Sequence, residues 1–267
     1  TPLRMISGVS AGSFSKFEDS IRNTAIQVRL NIMDKTLTKL CAGEHVTMVA
    51  FGDSITEVTF HTQGRMNWLQ LLDEAIFEEY GNGVCTIINS GKCGSSYREG
   101  LSRIDRDVLR YCPDLVIISF GMNDAEAGMA GLAAFEADVR QTIKLIRETC
   151  GSEILSRTPN PVVTVNGLPL PTPLPGMAWD PADRLLKEYA GALVEIAEEF
   201  QCRFVDHYSL WSEKMFEIKH SVANTCGLWL RMEDAIHPGY TGHLAFFREL
   251  APLFKVSKYF PWEEIGN

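Results

Sequence analysis

The stretch VTMVAFGDSIT, residues 46–56, decides the fold. A run of β-branched and apolar residues ends abruptly in Gly52-Asp53-Ser54. Such a run favours a strand, glycine allows a tight turn, and Asp and Ser favour the start of a helix. The run does not alternate apolar with polar, so both of its faces are covered. Four more runs of this kind follow: VCTIIN (84–89), DLVIISF (114–120), EILSRT (153–158) and CRFVD (202–206). Helical periodicity fills the gaps at about 66–80, 98–111, 131–150 and 181–200, with a last helix near 240–256. Strand alternating with helix predicts an α/β fold with a mainly parallel five-stranded sheet and right-handed crossovers. Ligand sites in such sheets lie at the carboxyl ends of the strands.

Two segments stand outside that rhythm. In residues 1–45, Phe14, Phe17, Ile21, Ala25, Val28, Ile32, Leu37 and Leu40 recur at helical spacing. This predicts an N-terminal helical extension on a domain spanning 46–267. Its apolar stripe needs cover, from its own domain or from a second copy of the chain in a homodimer. Residues 158–181 carry prolines at 159, 161, 169, 171, 173, 175 and 181, too many and over too long a span for an ordinary connector. This segment leaves the fourth strand at the carboxyl edge, where it serves as a wall over the site or as a plain surface excursion.

Composition sets outer limits. The 267 residues are 45% apolar and 22% charged, as in an average globular protein. No apolar run approaches the roughly 20 residues that span a bilayer. A net charge of −9 disfavours nucleic acid as a partner. The seven cysteines include no CxxC pair and no zinc-like Cys/His spacing. They read as buried, reduced thiols, which leans toward a cytoplasmic location. The chain starts at Thr1, which leaves open a leader already removed.

Four short patterns carry the chemistry. Gly52-Asp53-Ser54-Ile55-Thr56 follows the first strand and exposes a serine. Asn89-Ser90-Gly91-Lys92-Cys93-Gly94 follows the second and offers backbone N–H groups. Gly121-Met122-Asn123-Asp124 follows the third and offers a side-chain amide. Asp234-Ala235-Ile236-His237-Pro238 precedes the last helix, at a spacing that lets a carboxylate orient an imidazole. Each alone reads equally well as a turn or a helix cap. Together they supply a nucleophile, a base with its orienter, and oxyanion donors at one sheet edge, which is the set needed for acyl transfer.

In this order the four patterns resemble the conserved blocks of the SGNH hydrolase superfamily, the GDSL-type esterases and lipases. The resemblance spans about residues 46–256. It implies a three-layer, flavodoxin-like α/β/α sandwich and a Ser54–His237–Asp234 triad. The oxyanion would be met by the Ser54 and Gly94 N–H groups and the Asn123 side chain. Gly242 and His243 also match the usual run into the last helix. The implied activity is hydrolysis of carboxylic esters through an acyl-enzyme, with no metal or cofactor. Short-acyl, acetyl esters of carbohydrates are the leading substrates. A lysophospholipase or thioesterase and an acyltransferase are alternatives on the same triad, and a non-catalytic binding module is the reading from outside enzymology. Asp53 and His61 are candidate substrate-binding residues, although Asp53 also suits a bond to its own loop. Trp68, Trp179, Trp211 and Trp229 are either sugar-stacking faces or core and loop packing. His45, His207 and His220 are read as surface or capping groups.

Overall fold

The computed structural model describes residues 34–57, 60–162, 164–165, 168–169, 183–218 and 236–257. A helix, α1 (Asp34–Cys41), precedes the first strand, β1 (Val46–Gly52). Five of the seven β1 residues, Met48 to Gly52, form an unbroken buried run, as its apolar sequence dictates. Then come the one-turn helix α2 (Ser54–Glu57), α3 (Trp68–Tyr80), β2 (Cys85–Gly91), α4 (Tyr97–Asp107) and β3 (Leu115–Ser119). The long α5 (Gly128–Cys150) leads to β4 (Glu153–Arg157). A two-residue antiparallel pair, β5 (Thr164–Val165) and β6 (Leu168–Pro169), lies within the proline-rich segment. The described chain continues through α6 (Asp183–Glu199), β7 (Arg203–Val205), α7 (His207–Ile218) and α8 (Tyr240–Leu250).

The main sheet runs in the order β2-β1-β3-β4-β7, with every pairing parallel. This is the flavodoxin-like winding, and it puts the ends of β1, β2 and β3 side by side. Helices α4, α5 and α6 pack against one another, and α3 packs on α8. Neighbouring residues of β4 show that these are opposite layers. Ser156 meets Tyr97 of α4, whereas Arg157 lies between Trp68 of α3 and Phe246 of α8. Central strands β1 and β3 are covered on both faces, but edge strand β2 is only partly buried.

Local chemistry sets the helix ends. Asn67 caps α3 by accepting from Leu69 N–H and Gln70 N–H, while Gln70 answers at the Asn67 N–H. Ser96 and Glu99 close the same reciprocal box on α4. Such caps are worth about 1 kcal/mol each.

The predicted N-terminal extension is described only from residue 34. There α1 is tied to the start of the sheet. Thr36 donates to Glu153 through its N–H and its hydroxyl, and Lys39 pairs with Asp114 at 2.6 Å. Asp114 in turn accepts the Thr47 N–H at 2.8 Å. The remaining residues of that stripe lie outside the described residues. Among the described residues, no helix is long and apolar enough to cross a membrane.

Gly91, the last residue of β2, lies against the backbone of the turn that follows β1. A β-carbon there would stand 2.4 Å from the Glu57 nitrogen. Gly91→Ala should therefore destabilise the fold by about 1–3 kcal/mol, through strain between two main chains that cannot separate. Urea denaturation of the two proteins at neutral pH measures this.

Candidate active site

Ser54 is the first residue of α2, where β1 gives way to the turn. Its Oγ lies 3.0 Å from His237 Nε2, and both residues are largely buried. They meet at the carboxyl edge of the sheet, where the alternation of strand and helix predicts a site.

The turn carrying Ser54 is held by its carbonyls. Trp68 Nε1–H donates to Ile55 O at 3.2 Å. Asn67 and Asn89 both donate side-chain N–H groups to Thr56 O, at 3.2 and 2.9 Å. A four-residue helix has no stability of its own, so these donors, one on β2 and two at the start of α3, fix its geometry. Arg103, buried on α4, donates to Gly52 O and Ser90 O and so ties the ends of β1 and β2 together.

The other two strand ends come alongside. Lys92 N–H donates to Gly52 O, and Cys93 N–H donates to the Glu57 carboxylate, which draws the loop after β2 onto the turn that carries Ser54. Gly94 follows with φ +71°, a left-handed conformation suited to glycine, and the space where its β-carbon would stand is open. Neither the Ser54 nor the Gly94 N–H is spent on a backbone carbonyl among the described residues. Asn123 Nδ2 donates to Ser95 O at 3.0 Å, which fastens the turn after β3 to the residue after Gly94. An amide nitrogen carries two hydrogens, so a second remains to donate. Cys93, beside Gly94, is a poor nucleophile: burial, Glu57 and Asp53 raise its thiol pKa.

The family model described as GDSL-like lipase/acylhydrolase matches residues 50–245, a span that holds this whole arrangement. The chain belongs to that family. It is a carboxylic ester hydrolase. Among curated relatives, an acetylxylan esterase of Geobacillus stearothermophilus is 27% identical over 79% of this chain and 96% of its own. An arylesterase of Vibrio mimicus is 27% identical over 40% of this chain and 52% of its own. A crystal structure of the acetylxylan esterase, solved as a catalytic mutant, shares the fold with a TM-score of 0.59. It is 23% identical and covers 79% of this chain and 95% of its own.

Beneath Ser54 of this GDSL-type hydrolase lies a buried ionic layer. Asp53 is almost wholly enclosed and accepts the Ile55 N–H at 3.0 Å, so its carboxylate holds its own loop. Burial raises its pKa to about 6, opposed by that bond and by Arg157. Arg157, also enclosed, has no hydrogen-bond acceptor among the described residues; instead its guanidinium lies 4.0 Å from the Phe246 ring centre and 4.9 Å from that of Trp68. Aromatic faces attract a desolvated cation. Burial lowers its pKa only to about 10, so it stays charged. His243 is buried nearby, and burial followed by Arg157 lowers its pKa to about 3. Its neutral Nδ1 accepts the Trp68 N–H at 3.3 Å. Trp68 and Trp211 are core residues, so neither offers a sugar-stacking face. His207 is not a surface group: it is enclosed beside Phe246 and Glu249.

Of the residues named from sequence, Ser54 and His237 are in contact, and Gly94 and Asn123 lie on the adjoining turns. His61 stacks against His237, with ring centres 3.9 Å apart. Asp234, His220, Trp179 and Trp229 lie outside the described residues. The motifs gave no sign of Asn160, which is fully buried after β4 and donates Nδ2–H to Ile236 O at 2.9 Å, one residue before the histidine. A lone Asn in a proline-rich run reads as a turn residue, and only the tertiary structure shows what it holds. Asn160→Ala should lower kcat about tenfold and stability by about 1–3 kcal/mol, as read by steady-state kinetics and urea denaturation.

Asp124 provides a pH test. Its Oδ1 accepts the Tyr97 N–H at 2.9 Å, and burial raises its pKa from 3.8 to about 7. The folded chain thus keeps a proton that the unfolded chain has already released. Stability should fall as pH rises between those two values and level off above about 7. Asp124→Asn, which can still accept the Tyr97 bond, should flatten this decline in urea denaturations across the same pH range.

Proposed function

We propose that this chain is a serine esterase that removes short acyl groups, acetyl above all, from carbohydrates. The observation that carries the reading is the 3.0 Å contact between Ser54 Oγ and His237 Nε2 at the sheet edge. In the mechanism, His237 takes the Ser54 proton as Oγ attacks the ester carbonyl. The negative charge that develops on the carbonyl oxygen is met by the Ser54 and Gly94 N–H groups and by the free hydrogen of the Asn123 amide. His237 returns the proton to the departing alcohol. Water, activated by the same imidazole, then releases the acyl group from Ser54. Asp234 orients His237 and stabilises the imidazolium.

The assignment of Asp234 is supported by its place three residues before the histidine. The acetylxylan esterase has been solved as catalytic mutants at a serine, an aspartate and a histidine, and its aspartate also stands three residues before its histidine. The acetyl preference rests on that same relative, which aligns along nearly its full length.

Ser54→Ala should abolish hydrolysis of p-nitrophenyl acetate and labelling by a fluorophosphonate while the circular dichroism spectrum stays unchanged. Asn123→Ala should lower kcat about 10²–10³-fold. Across p-nitrophenyl esters of increasing chain length, kcat/KM should be highest for acetate. A maximum at eight carbons or more would point instead to a lysophospholipase or thioesterase.

A further inference from the structure

The nucleophile and base do not stand alone at the sheet edge. His61, seven residues after Ser54, lies face to face with His237: the ring centres are 3.9 Å apart and the planes differ by 5°. Phe60 meets the His61 ring edge-on, at 5.3 Å and 88°. Phe60 is 75% exposed and His237 is 8% exposed. Three rings therefore run in sequence from solvent to the group that touches Ser54 Oγ.

We propose that His61 is a positioning residue that fixes the plane of the His237 ring. The inference rests on the reading of His237 as general base. His237 lies in a short segment ahead of α8, and Asn160 anchors the carbonyl of the residue before it. That anchor restrains the backbone, and in the proposed mechanism Asp234 holds one edge of the imidazole against turning about its Cβ–Cγ bond. The Ser54 contact lies at one ring atom and resists that turning weakly. A parallel ring at 3.9 Å resists it strongly, because any rotation drives an edge of His237 into the face of His61. Phe60 backs the outer side and holds His61 in place. A branched aliphatic side chain would fill the same volume without offering a parallel face, so shape separates this role from ordinary packing.

The test compares His61→Phe, His61→Leu and His61→Ala with the wild-type chain. The readouts are steady-state hydrolysis of p-nitrophenyl acetate and the rate of fluorophosphonate labelling. His61→Phe should keep kcat within about threefold. His61→Leu and His61→Ala should lower kcat by about tenfold or more with KM within about twofold, and labelling should slow in parallel. A leucine variant as active as the phenylalanine variant would overturn the inference, because filling space would then suffice. A phenylalanine variant as weak as the alanine variant would overturn it too, since the imidazole nitrogens would then matter more than the ring plane. A change confined to KM would place His61 against substrate. Should the buried-side variants fail to fold, Phe60→Ala decides: its ring is exposed, and the inference requires a severalfold loss of kcat, while unchanged kcat overturns it. A wild-type chain that neither hydrolyses nor labels would sink the Ser54–His237 reading itself. An active wild type with indifferent His61 and Phe60 variants would sink only the positioning role.

Discussion

The site depends on one meeting: a serine after the first strand and a histidine before the last helix, 183 positions apart, must come within 3.0 Å. A hydrogen bond cannot hold such a loop closed by itself, since the chain entropy of closure exceeds its net worth. The sheet does so instead. Parallel strands put every carboxyl end on one edge, and α8 packs on α3, whose first residues bond to the nucleophile turn. Trp68 thus serves two ends of the chain. Its indole N–H reaches Ile55, and its backbone N–H reaches His243, six residues past the base.

Polar side chains around this meeting act mostly on main-chain carbonyls. Asn67, Asn89, Arg103 and Asn160 each donate to a carbonyl beside a residue of the site. Turns cannot satisfy their own backbone groups as helices and strands do, and an enclosed carbonyl left bare is destabilising. The same bonds that satisfy these turns also remove their freedom to move. Rigidity at the edge follows from hydrogen-bond accounting and needs no separate cause.

The sheet was legible in the sequence because its signal is local. Runs of Val and Ile between glycines and amphipathic stretches mark strands without reference to the rest of the chain. The five runs correspond to β1, β2, β3, β4 and β7. The meeting of Ser54 with His237, and the nearness of the Gly94 and Asn123 turns, could be anticipated because each residue sits in a short motif at a strand end or before the last helix. Helix α7, HYSLWSEKMFEI, went unread because its apolar residues do not keep a clean helical period. His207 was misplaced because a histidine just after a strand run looks like a surface group, and only the Phe246 and Glu249 beside it show that it is enclosed. Asn160 and Arg157 carry no local mark, since Ile236 lies 76 positions from Asn160 and Arg157 faces aromatic rings on two helices; Arg103 pairs with Asp107 one turn away, and only its bond to Gly52 O, 51 positions back, shows what it holds.

Arg157 has one more consequence. Dissolved salt weakens electrostatic forces when its ions can approach a charge, and a guanidinium that is 1% exposed between two aromatic rings admits none. Its positive charge acts on Asp53 and His243 from inside the fold, and salt screens such a buried charge much less than an exposed one. Salt that screens the acidic surface therefore changes the field under Ser54 far less, and the sheet edge keeps an electrostatic setting largely its own.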